Sequence, residues 1–370
     1  MNELVLRYVT VRIVAPLLCG AIAACGGGGG GGSSDVAANS EPALPPGAID
    51  NLPVGSWLQL PNTKIRSVAP AASEHVENVV NAWSGGTVDT VRSRLLVWGG
   101  GHSDYNGNEV YALDLPSASI QRVVEQSPLI GASACKSALP DGTPTARHTY
   151  DGLAYIAHAD RFFATSGALS PCGNGDPATW TYDFGARKWT MNFAQSPWLI
   201  LPGTMAKYDA VTKLVFVHDT TALYGYNFDT NSSTTLATGL NVDYHLTAAI
   251  DTKRRKFVMI GNDGVKVVDM STYRMTTMAT TNTPSLVNDA SPGVAYDPVA
   301  DRIVAWSGGS NVYALNMESG AWSQVAINAG PTASAPVQGT FGRWAYIPQY
   351  GVFALINSVD QNAWVFRLSN

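Results

Sequence analysis

Through most of the chain, apolar and polar residues alternate in short runs separated by Gly, Asn and Asp. Such runs predict half-buried β-strands joined by tight turns, because successive side chains on a strand face opposite ways. The runs recur as a unit: a small-residue strand, a Tyr-Asp-like turn, a β-branched strand, a Gly-rich loop, then an aromatic strand ending in Asp. The clearest copies are Gly293 to Gly309 followed by Asn311 to Asn316, and Arg94 to Gly101 followed by Asn108 to Asp114. Weaker copies run through Leu153 to Tyr182, Tyr208 to Phe228, Ile250 to Asp269 and Tyr346 to Phe366. Several copies close with a strand around tryptophan, as in Lys188-Trp189-Thr190 and Ala321-Trp322-Ser323. No segment sustains a 3.6-residue apolar period, so helix is expected to be nearly absent.

Each unit reads as four antiparallel strands making one twisted sheet. One such sheet cannot bury both faces alone, whereas sheets packed radially do, which predicts an all-β chain folded as a β-propeller. Six units are visible, and a seventh in the poorly patterned stretches near 60–80 or 116–147 stays open. The last unit ends at Leu368 without a tryptophan strand, and Gly55-Ser56-Trp57-Leu58-Gln59-Leu60 has the missing pattern. Trp57 to Leu60 is therefore expected to complete the final blade and leave no free edge. A period of about 40–50 residues, Gly-Gly after the second strand and a closing Trp together resemble kelch repeats, over essentially the whole body.

The first residues read differently. Arg7 and Arg12 precede an apolar stretch from Ile13 to Ala24 that is too short to span a bilayer of roughly 30 Å, which is the pattern of an export signal. Ile22-Ala23-Ala24-Cys25 resembles the lipobox of bacterial lipoproteins, which implies lipid on Cys25; an ordinary secretory peptide cut after Ala24 is the alternative. The glycine run from Gly26 to Gly32 and the Ser/Pro/Ala-rich residues after it bury too little apolar surface to fold, so they read as a leash. The expected organisation is a signal over 1–24, a lipidated tether over 25–50 and a propeller over 51–370. Gly26 after the cysteine resembles the pattern that sends lipoproteins to the outer membrane.

A net charge of −5 with charged residues at only 14% argues against a nucleic-acid partner. Four cysteines occur, of which Cys19 and Cys25 belong to the export signal; Cys135 and Cys172 most simply form one disulfide in an oxidising compartment, the alternative being a metal pair, for which neither has a His or Cys nearby at ligand spacing. No Gly-x-Ser-x-Gly elbow, Walker loop or His-Glu-x-x-His is present.

In a four-stranded blade, the entry to strand one and the loop between strands two and three open on the same face of the disc. Sorting residues this way gathers His102, Asp104, Tyr105 and Asn108 from the first unit, and Arg147, His148 and Tyr150 from the entry to the second. Asp243, Tyr244 and His245 enter the fourth unit, Asn288 and Asp289 the fifth, and Arg343 the last. Cys135 and Cys172 fall on the same expected face. His75, His158 and His218 are set aside, with His158 expected at the opposite face. Each of the gathered groups also has a structural reading, as a loop cap or a contact between blades. Their convergence nevertheless exceeds what packing requires, and such clusters are where chemistry is done.

The Gly-Gly-Gly-His loop, the His-x-Tyr and a distant Arg resemble, in part, the propeller-fold ulvan lyases, which are seven-bladed. That resemblance implies β-elimination on a uronic-acid polymer, with His102, His148, Tyr150, Tyr244 and His245 as acid–base candidates. Asp104, Tyr105, Asn108, Arg147 and Arg343 would then contact substrate, an arginine holding the carboxylate. A copper enzyme like galactose oxidase, also kelch-type, would instead require Cys135 or Cys172 to stay unpaired. The other class is a non-catalytic propeller that recognises a glycan or a protein, since fold alone does not fix function. No cofactor is expected, with a bound metal ion left open. The expected partners are a polysaccharide and, through the lipid, a membrane, with the chain monomeric.

Overall fold

The computed structural model describes residues 41–369 apart from 72, 200, 201 and 326–328. The export signal, Cys25 and the glycine run lie outside the described residues. The body is a propeller of six blades, each a four-stranded antiparallel sheet. Blade 1 comprises Gly85–Asp89, Arg94–Trp98, Val110–Asp114 and Ser119–Val124. Blade 2 comprises Leu153–Ile156, Arg161–Thr165, Thr179–Asp183 and Lys188–Phe193. Blades 3, 4 and 5 start at Met205, Leu246 and Gly293, and blade 6 at Trp344. The innermost strands touch in cyclic order, blade 6 returning to blade 1, so the ring is closed at six.

The stretches in which a seventh blade was open build none. Between 60 and 80 lie a short 3-10 turn, Ile65–Val68, and one helical turn, Asn78–Asn81. Between 116 and 147 lie the outer strand of blade 1 and a long loop. The closure expected from sequence is present. Ser56–Gln59 pairs antiparallel with Trp364–Arg367, Trp57 opposite Phe366, and completes blade 6. The Trp57 ring packs on Trp344, Trp364 and Phe366, and its indole N–H donates to the Ser310 carbonyl at 3.0 Å. The body's contacts also reach back into the stretch read as tether. Ile49 is buried in the core, and the Glu41 carboxylate accepts from Asn362 at 2.6 Å.

The apolar alternation accounts for the packing. Buried side chains form six clusters, each between two neighbouring blades; Leu96, Trp98 and Val110 of blade 1, for example, meet Phe162, Trp180 and Trp189 of blade 2. Burying each large side chain contributes about 1.5–3 kcal/mol, so each interface is a small core in its own right. Outer strands are polar where they face water, as in Ser232–Thr238, which discourages pairing with another chain.

The turns after the first strands repeat. Asp89, Asp209, Asp251 and Asp297 each fold a carboxylate back onto backbone N–H groups two or three residues on. Arg92–Asp160, Arg255–Asp209 and Arg254–Asp301 then tie neighbouring blades on this lower face. Along the axis runs a channel of about 330 Å³ whose lower end is lined by Thr90, Ala157, Thr252, Pro298 and Pro348. Ala154, Ala249, Ala295 and Ala345 occupy one level of its wall, and blade 3 places Lys207 there, bonded to buried Asp151 at 2.6 Å. Gly86 and Gly342 also line it, backbone against backbone: a Cβ on Gly342 would lie 1.9 Å from the Gly86 carbonyl oxygen.

Candidate functional site

The loops of the upper face carry different polar side chains from blade to blade. In blade 1 the chain leaves Trp98 through Gly99-Gly100-Gly101. Gly101 must be glycine on two counts, a φ of +72° and an approach so close that a Cβ would sit 2.1 Å from the Arg147 Cα. His102 follows with φ +47°, in the left-handed region. Its backbone N–H donates to the Ala168 carbonyl at 3.3 Å, and Gly173 presses against its ring. Cys172 and Cys135 are disulfide-bonded with Cα atoms 5.8 Å apart, pinning the long loop beside His102. Paired cysteines do not meet the requirement of a galactose-oxidase-like site.

His148 sits on a two-residue strand, Arg147–His148, that pairs with Ala168–Leu169. It is buried, and its Nε2–H donates to the Asp104 carboxylate at 2.7 Å. Trp83 lies 4.9 Å from its ring, His102 5.5 Å and Tyr150 6.1 Å between centroids. Burial pushes the His148 pKa down, against the pull of Asp104, so the imidazole is neutral near pH 7. His102 is exposed and Asp104 half-buried, so this cluster opens to solvent on one side. Tyr150, with φ +47°, packs edge-on to Phe341, and burial, helped by the neighbouring Tyr244, pushes its phenol up to about 12. It stays a proton donor.

Across the mouth, the Asp243 carboxylate accepts from the His245 ring Nδ1–H at 2.6 Å and from the His245 backbone N–H at 2.7 Å. This fixes the tautomer and leaves Nε2 with a lone pair directed elsewhere. Tyr244 is exposed and its ring lies 3.6 Å from that of His245. On the blade 5 side, a concavity of about 380 Å³ is lined by Asn288, Asp289, Ser291, Ser307, Ser334 and Thr340.

Four residues expected to touch substrate are committed inside the protein. Arg147 is fully buried: it pairs with Asp176, donates to the Thr145 carbonyl and lies under the Trp98 ring. Arg343 is fully buried too and donates to the carbonyls of Ser84, Ile356 and Gly339 at 2.9, 2.8 and 2.6 Å. Burial lowers both guanidinium pKa values without discharging them near neutrality. Tyr105 belongs to the apolar core between blades 6 and 1, its hydroxyl donating at 2.7 Å to buried Glu109, which also accepts from Tyr111. Asn108 is buried and staples its loop, donating to the Pro144 carbonyl and accepting from the Ser127 N–H. Neither arginine can hold a substrate carboxylate. Of the histidines set aside, His158 is at the lower face, bonded to Tyr208 and Asp229, and His218 is buried at the end of a blade 3 strand.

Sequence reasoning left Trp83, Asp176 and Phe341 out of the site. Asp243 was in view, beside His245, but its orienting role needed the geometry. No family model matches the chain, and no curated protein matches it.

Proposed function

We propose that this chain is a lipid-tethered envelope protein, anchored through Cys25, whose upper face acts on an acidic polysaccharide by β-elimination. The observation that carries the reading is the Asp243–His245 pair beside exposed Tyr244, with neutral Tyr150 as the neighbouring phenol. His245 Nε2 takes the proton α to the uronate carboxylate, Asp243 holding the ring and stabilising the imidazolium that forms. The Tyr150 hydroxyl protonates the departing glycosidic oxygen. The C–H and C–O bonds break, a C=C bond forms in the sugar ring, and the proton removed is balanced by the proton delivered.

A second reading is recognition of a glycan without chemistry. The internal commitment of Arg147 and Arg343 favours it, because elimination needs positive charge at the carboxylate and neither arginine provides it. The test is ultraviolet absorbance of the conjugated product while the full chain is incubated with a panel of uronate polysaccharides. A rise that His245→Ala loses supports elimination; binding to a polymer with no rise gives the function to recognition.

A further inference from the structure

We propose that His102, Asp104 and His148 form a binding site for one divalent transition-metal ion of the zinc class. One ligand atom from each of the three lies within 4.8 Å of the other two. Zinc holds nitrogen and carboxylate donors at about 2.0–2.2 Å, which puts tetrahedral donors about 3.3 Å apart. His148 Nε2 and the Asp104 oxygen, at 2.7 Å, need to open by about half an ångström; exposed His102 closes the rest by a side-chain rotation. The ion takes the place of the proton now shared between His148 and Asp104.

The donor set selects the ion. Two imidazoles and one carboxylate suit zinc and its first-row neighbours, whereas calcium takes six to eight oxygens. Three protein ligands with a solvent-facing fourth position are the arrangement of a working zinc site, not a structural one.

The scaffold around the three residues is fixed without an ion. The disulfide ties Cys172 to Cys135, and Gly173, the next residue, leaves room for the His102 ring in its present place. Asn78 donates to the Asp104 carbonyl at 3.0 Å, and Trp83 backs the His148 ring. A buried histidine satisfied by one aspartate explains His148 and Asp104; it does not account for a second imidazole lying within reach of the same pair.

The ion would also provide the positive charge that the buried arginines do not. Its open position fits one oxygen of a uronate carboxylate, and this role, unlike the site itself, rests on the proposed elimination.

The experiment is calorimetric titration of zinc into the untagged full chain after chelator treatment, repeated with cobalt to read its visible absorption. One ion per chain is expected, with His102→Ala and Asp104→Asn each weakening binding by about tenfold or more. His158→Ala, at the opposite face, leaves it unchanged. His102 is exposed, so its variant folds even if His148→Ala does not. Zinc uptake no greater in wild type than in His102→Ala overturns the site. Zinc uptake lost in that variant, with no elimination on any polymer, keeps the site and removes the elimination. Elimination that survives chelation while zinc fails to bind does the reverse.

Discussion

The two faces of the ring are built from the same strands and differ in almost everything else. On the lower face one solution recurs: an aspartate folds back over its own turn, and arginine–aspartate pairs cross three of the blade boundaries. The Tyr155 and Tyr296 hydroxyls, in equivalent turns, donate to Asp160 and Asp301 at 2.7 and 2.9 Å. On the upper face blades 1 and 5 share a glycine loop after the second strand, but the polar side chains differ from blade to blade. Blade 1 contributes a glycine loop with His102 and Asp104, blade 2 His148 and Tyr150, and blade 4 the Asp243–His245 pair. Repetition marks the polar groups that hold the ring, and departure from repetition marks those free to do something else. Arg147 and Arg343 qualify that rule. They break the pattern, on the upper face, and are still structural.

The sharpest way to break the comparison is to remove one of those two exceptions. Arg147→Ala leaves Asp176 buried without its partner, and the expected loss is about 3–5 kcal/mol of stability, read by chemical denaturation. A loss below about 1 kcal/mol would mean that Arg147 is held for a ligand after all. Next, His245→Ala is expected to lower the elimination rate by about 10²–10⁴-fold while changing the midpoint of unfolding little. The two variants separate support from chemistry on one face.

A third test uses pH. Burial holds His218 neutral, with a pKa of about 4 against an ordinary value near 6.5. Between those values the unfolded chain binds the proton and the folded chain does not, so stability falls as pH drops through that window. The expected contribution is about 3 kcal/mol between pH 7 and pH 4, absent in His218→Gln, as measured by denaturant titration at both pH values. The smallest effect belongs to the lower face. Lys253 is mostly exposed and bonds Asp301 at 2.6 Å, so Lys253→Ala should cost under about 0.5 kcal/mol.

How much of this was legible in the sequence follows the same division. The blades, the closing Trp57 strand and the Cys135–Cys172 pair rest on periodic or countable features, and the structure contains them. Strand topology decides which loops share a face, and it brings His102, Asp104 and His148 within reach of one another, while Tyr105, Asn108, Arg147 and Arg343 are turned into the protein. What each one does was not legible. Arg343 is held by three backbone carbonyls, groups that every residue carries, so no pattern of side chains announces the arrangement. The partner of Arg147 is Asp176, which reads in sequence as an ordinary loop aspartate. Tyr105 looks like loop chemistry beside His102, yet its ring turns into the core because Glu109, four residues on, receives its hydroxyl there. In each case a polar residue type gave the location, and the partner that determines its role lay too far along the chain or in the backbone.

The pairing of Ser56 with Arg367 has a consequence for how the molecule comes into being. Five blades are built from strands close together in the chain and can form as the chain is made, but the sixth must pair with a strand more than three hundred residues earlier. Joining ends so distant costs little more than joining nearer ones, since chain entropy grows only with the logarithm of loop length. The delay is therefore one of timing: until blade 6 forms and pairs with Ser56–Gln59, the nearly finished ring exposes that strand and the apolar flanks of blades 5 and 1. A cell making this protein must keep other chains away from that gap for as long as it stays open.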